Sequence, residues 1–150
     1  MPSHKYSTEV SFALRSEVLD PEAVTARLQI EPVRAFKKGD RFESRSGQHV
    51  RCFGLWRMES GNVITSLDIE PHVLYILEKL EPKRDAIKMI IDQMSATSNV
   101  VLWWSAPASS AGYSLSSSIM ARLSGICQRI DFSFHYAIAN TEDSFCSDGA

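Results

Sequence analysis

Near the end of the chain, Ile130, Phe132, Phe134, Tyr136 and Ile138 alternate strictly with Asp131, Ser133, His135 and Ala137. A period of two is the signature of a β-strand, whose successive side chains leave on opposite faces. A second alternation lies near the start, where Tyr6, Val10, Phe12 and Leu14 interleave with Ser7, Glu9, Ser11 and Arg15. The chain must therefore build a sheet with an apolar face. Phe12, Leu14, Phe132 and Phe134 are expected to be buried on it.

Helical signals separate the strands. Asp20 precedes Pro21 and Glu22, a cap followed by a residue that needs no N–H in the first turn. Val24 and Leu28 are four apart, on the inner face of a short helix that must end before Glu31-Pro32. Gly39-Asp40 and Ser46-Gly47 mark turns, and Phe42 is expected in a short strand between them. Val50 to Met58 reads as a central strand, apolar on both faces. Val73, Ile76, Leu77 and Leu80 have helical spacing, and a second helical piece starts near Pro82. Val100 to Ala106 is the next strand. Ser116 or Ser117 caps a last helix that stops at Gly125.

The element order is β-α-β-β-α-β followed by α-β. It implies an α+β fold with a ferredoxin-like core, a mostly antiparallel sheet and helices on one face. Residues 1–140 are expected to form one domain, and 141–150 a disordered polar tail.

Charge and cysteine content narrow the function classes. The formal net charge is −2, so there is no overall attraction to nucleic acid or acidic membranes. The longest purely apolar run, Val100 to Trp104, is far too short to cross a bilayer. Cys52, Cys127 and Cys146 are odd in number and match no zinc or redox spacing. Free thiols and a cytoplasmic location are expected.

Catalytic motifs are missing from the sequence. There is no phosphate-binding or dinucleotide glycine loop. Gly112-Tyr113-Ser114-Leu115-Ser116 fails the hydrolase elbow at its last position and reads as a helix cap. No two of His4, His49, His72 and His135 have metal-ligand spacing on one helix face. Neither a metal nor a cofactor is expected. His135 shares a strand face with Asp131 and Ser133, which strand alternation alone explains.

The local charge is more informative. Between Arg34 and Arg57 there are seven Lys or Arg against two acids, Asp40 and Glu43. Cations beside an aromatic residue grip phosphates, carboxylates or acidic protein surfaces. The candidate site is Arg34, Lys37, Lys38, Arg41, Trp56 and Arg57, with Trp104 and His135 added from the later strands. Trp103 and Trp104 leave one strand on opposite faces, so one enters the core and the other either serves for contact or is covered by a helix.

Taken in order, Leu19-Asp20-Pro21-Glu22-Ala23-Val24-Thr25, Leu28, Glu31-Pro32, Gly39-Asp40 and Gly54-Leu55-Trp56 form a recognisable series. The helix of Val73 to Leu80 and Ile130-Asp131-Phe132-Ser133-Phe134-His135-Tyr136 complete it. This succession resembles the bacterial family known as domain of unknown function 4279, over roughly residues 6 to 136. The resemblance implies a fold and a bacterial origin, and no chemistry.

A non-catalytic binding module is the expected function, recognising a protein partner or a small anion. A toxin-neutralising, immunity-type protein is one concrete form. The alternative is an enzyme for a small anionic substrate, with Arg34, Lys38, Arg57 and His135 around a pocket. Nucleic acid and membrane are not expected as partners, and the chain is expected to be a monomer or a homodimer.

Overall fold

The computed structural model describes residues 7–106 and 112–136. Strand β1 spans Thr8–Ser16 and is followed by helix α1, Pro21–Leu28. Strands β2 (Arg34–Phe36), β3 (Arg41–Ser44), β4 (Gly47–Val50) and β5 (Gly54–Glu59) come next. Helix α2 covers Ile69–Leu80, and a single 3-10 turn at Glu81–Lys83 joins it to α3, Arg84–Met94. Strand β6 (Thr97–Ala106), helix α4 (Ser117–Ser124) and strand β7 (Arg129–Tyr136) complete the chain. Tyr6, His4, Cys146, Ile138, most of the Pro107–Gly112 loop and the 141–150 tail lie outside the described residues.

The protein is α+β. Five strands form one sheet in the order β2-β5-β1-β6-β7, and β3 pairs with β4 in a separate hairpin. Every pairing is antiparallel except that of β6 with β7. Strand β5 lies between β1 and β2, so the β1-α1-β2 unit is split.

One face of the sheet carries the core. Val10, Phe12 and Leu14 of β1, Trp56 and Met58 of β5, and Val100 and Leu102 of β6 pack against the helices. The helices contribute Val24 and Leu28, Val73, Ile76, Leu77 and Leu80, Ile87 and Ile90, and Ile119 and Leu123. Local chemistry sets the helix ends. Asp20 accepts from the Glu22 N–H, and Gln29 closes α1 in the left-handed conformation at φ 56°. Ser116 accepts from the Ile119 N–H at the start of α4.

A buried polar bolt fastens α2 to the sheet. Ser60 Oγ accepts from the Val10 N–H (2.9 Å) and donates to His72 Nδ1 (2.6 Å). His72 Nε2 donates to the Ser66 carbonyl (2.7 Å). His72 is fully buried, and the arrangement satisfies both ring nitrogens, as burial requires.

Several expectations need correction. Phe12 and Leu14 are buried, but Phe132 and Phe134 are each 48% exposed. They lie on the helix side of the sheet, as the alternation demands, but β7 is an edge strand that the helices only partly cover. The expected Val50–Met58 strand is broken at Arg51–Phe53, so Val50 ends the hairpin and Gly54 begins β5. Cys52 falls in that break and is exposed.

Candidate functional site

The sheet face away from the helices is polar, and strand register decides what meets on it. Arg34 of β2 pairs with Arg57 of β5. Arg57 pairs with Ala13 of β1, and Ala13 with Asn99 of β6. One residue pair along, Phe36, Leu55 and Arg15 form the next row. Small Ala13 in the middle of long neighbours leaves a hollow of about 120 Å³. Arg15, Arg34 and Arg57 line it together with Asn99 and Ser11, over a floor that includes Leu55 and Val101. Among the described residues no carboxylate lines it.

The three guanidinium groups differ in how they are held. Arg57 is ion-paired to Glu59, its neighbour on β5, and lies 3.6 Å from Glu9 of β1. Its Nε is nevertheless buried without a hydrogen-bond partner among the described residues. Arg15 lies over the Phe53 ring at 3.5 Å. Arg34 lies 5.7 Å from the centre of Phe36. Neither forms an ion pair among the described residues, so their in-plane N–H groups are left to solvent. Arg34 and Arg57 are also like charges directly opposite one another, an arrangement that costs stability in a sheet.

Glu9 responds to this setting. Burial is the first cause that raises its carboxyl above the ordinary range; the charge of Glu59 adds to it, and Arg57 pulls the other way.

Beside the hollow, arginines and rings alternate. Phe53 meets Phe36 at 5.7 Å. The Arg51 guanidinium lies between Phe36 (4.1 Å) and Phe42 (3.5 Å). The Gly39-Asp40 turn closes the base of the hairpin, because Gly39 N donates to the Arg51 carbonyl and Arg51 N to the Asp40 carbonyl, both at 2.8 Å; the contact of Arg51 with Phe36 of β2 joins that base to the sheet. Gly39 stands at φ +92°, which an L-residue adopts only with strain.

The residues singled out from sequence separate into distinct places. Arg34 and Arg57 line the hollow. Lys37 instead pairs with the cap residue Asp20 (3.1 Å), and Lys38 with Glu17 (3.2 Å). The Lys37 pair holds the Asp20 carboxyl below its usual range and raises the Lys37 ammonium. Mutual repulsion in the basic stretch is thus relieved within the chain, by acids from the β1–α1 connection. Arg41 is exposed on the hairpin.

Trp56 is no contact residue. It is fully buried, meets Phe12 edge-on at 6.4 Å and donates from Nε1 to Thr25 Oγ1 at 3.0 Å. Trp104 is also covered, at 9% exposure, because it shares the helix side with Leu102. The half-exposed tryptophan is Trp103, which stacks on His135 at 3.6 Å between centroids. His135 stands on β7, separated from Arg34 and Arg57 by intervening strands, so one pocket does not unite Arg34, Lys38, Arg57 and His135.

Arg15 and Asn99 were missed from sequence. Arg15 was visible as a polar phase of the β1 alternation, but only the register places it beside Arg34 and Arg57. Among the described residues no three His, Cys, Asp or Glu side chains gather as a metal site would need. No helix there is long and apolar enough to cross a membrane.

A sequence family described as "Domain of unknown function (DUF4279)" matches residues 4–137. The chain belongs to this family. The match covers both outer strands of the described fold and the basic stretch between them. No curated protein and no solved structure matches the chain.

Proposed function

We propose that this protein is a binding module that receives an anionic group of a protein partner in the arginine-lined hollow of the open sheet face. The supporting observation is the convergence of Arg15, Arg34 and Arg57 on a space that no carboxylate lines, with the Arg57 Nε unpartnered. Guanidinium forks match carboxylates in shape and charge, and charge-assisted bonds of this type are stronger than neutral ones.

Size selects the kind of ligand. Drug-sized molecules need roughly 300–1,000 Å³. A hollow of about 120 Å³ admits one carboxylate or phosphate group and little more. The rest of the ligand must lie outside, on the sheet and the arginine–aromatic stack. An Asp or Glu side chain on a protein surface has this form. The flanking rings Phe36 and Phe53 supply apolar contact area around the charged centre.

The test is a titration with a hexaglutamate peptide, followed by NMR of the arginine side-chain Nε–H signals. Signals of Arg15, Arg34 and Arg57 are expected to shift together, and the shift to weaken with salt. Arg34→Gln is the clean variant, since Arg34 is exposed and forms no ion pair among the described residues; it should weaken binding about tenfold, the loss of a charge-assisted contact. Shifts confined to Arg41 and Arg45, or undiminished in Arg34→Gln, would remove the hollow from the reading.

A further inference from the structure

The two edges of the sheet differ. Strand β2 is three residues long, follows Pro32, and carries the charged Arg34 and Lys37 within and beside it. These features blunt an edge against pairing. Strand β7 at the other edge has eight residues and contains neither proline nor lysine, and its two charges, Arg129 and Asp131, sit at its start and pair with each other.

Backbone direction on β7 follows from the ladder. Ser105 N donates to the Ser7 carbonyl, so odd-numbered residues of β6 turn their peptide groups toward β1. Even-numbered residues of β6 therefore face β7. In the parallel register Asn99↔Arg129 to Ala106↔Tyr136, they bond to Arg129, Asp131, Ser133 and His135. Ile130, Phe132 and Phe134 are left with N–H and C=O directed outward.

The phenylalanines along this edge are only half covered. Phe132 and Phe134 are each 48% exposed. Their inner surfaces rest on Tyr113, at 6.4 and 5.5 Å between centroids, and Phe134 meets Trp104 edge-on at 6.1 Å. The open face of the same strand carries Asp131, which pairs with Arg129 at 2.7 Å and accepts from Asn99 at 3.2 Å, and Ser133 and His135, hydrogen-bonded to each other at 3.1 Å.

We infer that β7 pairs antiparallel with β7 of a second copy, across a two-fold axis through Ser133 and perpendicular to the sheet. In this register Phe132 lies opposite Phe134 of the second copy, and both have outward-directed peptide groups, so they exchange hydrogen bonds. The two-fold repeats the pair, which joins four phenylalanines into one covered cluster on the helix side. On the open side Asp131 lies opposite His135 of the second copy, twice. Neighbouring registers lose this match. Centring on Phe132 sets Arg129 opposite His135, and centring on Asp131 sets Asp131 opposite itself. Such self-complementarity is what an isologous interface requires.

Cross-linking reads the register. In this pairing Ser133 faces Ser133 of the second copy in a non-hydrogen-bonded pair, where Cα atoms stand about 4.5 Å apart, within disulfide reach. In full-length protein with Cys52, Cys127 and Cys146 replaced by serine, Ser133→Cys should give a covalent dimer on mild oxidation. Asp131→Cys in the same background should not. Sedimentation equilibrium of the wild type at about 50 μM should give about twice the 16.8 kDa monomer mass, a Kd in the micromolar range. Phe134→Lys should sediment as a monomer with an unchanged far-UV dichroism spectrum. A wild type that stays monomeric overturns the inference. So does cross-linking of Asp131→Cys as efficient as that of Ser133→Cys, or a wild type that dimerises only after residues 137–150 are removed.

Discussion

Replacing Trp56 by alanine should destabilise the protein strongly while leaving the exposed surface unchanged. The side chain is fully buried between β5 and α1 and is among the largest in the core. Removing it forfeits transfer energy and leaves a cavity, together about 3–5 kcal/mol for a large aromatic residue. The edge-on pair with Phe12 adds about 0.5–1.5 kcal/mol, and the bond to Thr25 about 1 kcal/mol. These contributions overlap, so about 4–5 kcal/mol is the expected loss. Against a total of about 5–15 kcal/mol, that is roughly a quarter or more. At about 2–4 °C per kcal/mol for a chain of this size, the melting midpoint should fall by about 10–20 °C. Urea denaturation followed by circular dichroism is the assay. Trp56→Phe should cost less, about 1–3 kcal/mol. Its combination with Thr25→Val should reveal a coupling of about 1 kcal/mol, the shared hydrogen bond. A loss below about 1 kcal/mol for Trp56→Ala would refute the core assignment and return this tryptophan to the surface.

Glu9 has a folded-state carboxyl raised by burial, so the stability linked to it is present below its unfolded titration and lost as pH rises through the folded one. Glu9→Gln should therefore gain on the wild type as pH is taken from about 4 to 7 in thermal melts; a constant difference would show that the burial of the charge is immaterial. Asp20 behaves in the opposite sense, because Lys37 lowers its carboxyl, so its contribution is present above the unfolded titration and fades as pH falls. Asp20→Ala should cost about 1 kcal/mol at neutral pH through the lost cap, and less in acid, measured by urea unfolding. Gln29→Gly should stabilise by about 0.5–1 kcal/mol, since glycine adopts the left-handed φ of 56° without a Cβ conflict; destabilisation would show that the Gln29 side chain holds the turn.

Strand and helix identities were legible in the sequence wherever a period was long. The β1 alternation, the Asp20-Pro21 start and the α2 stripe all correspond to elements of the structure. What the alternation could not convey was position within the sheet. Phe132 has the right phase for the core, yet an edge strand leaves it half exposed. The basic stretch was visible as a run of charge. Its division into ion-paired Lys37 and Lys38 and unpaired Arg34 depends on Asp20 and Glu17, which are distant in sequence. Arg15 could be found only through pairing across β1 and β5, because register is a tertiary property. Trp56 and Trp104 misled for a related reason, since an aromatic residue in a strand carries no mark of which face the helices will cover.

The β3–β4 hairpin has a consequence for how the chain tolerates change. Its residues are exposed apart from a half-buried Phe42, and its ladder pairs with nothing but itself. Its base is closed by the Gly39–Asp40 backbone bonds to Arg51, and Arg51 joins it to the sheet by lying over Phe36 of β2. Amides from 41 to 50 should then exchange with deuterium through local opening, at rates that urea scarcely alters, while those of β1 wait for global unfolding. For the same reason the Arg45-Ser46 turn is the natural point at which to lengthen the chain or insert a fluorescent label, because it is exposed and lies at the opposite end of the hairpin from Arg51 and the sheet.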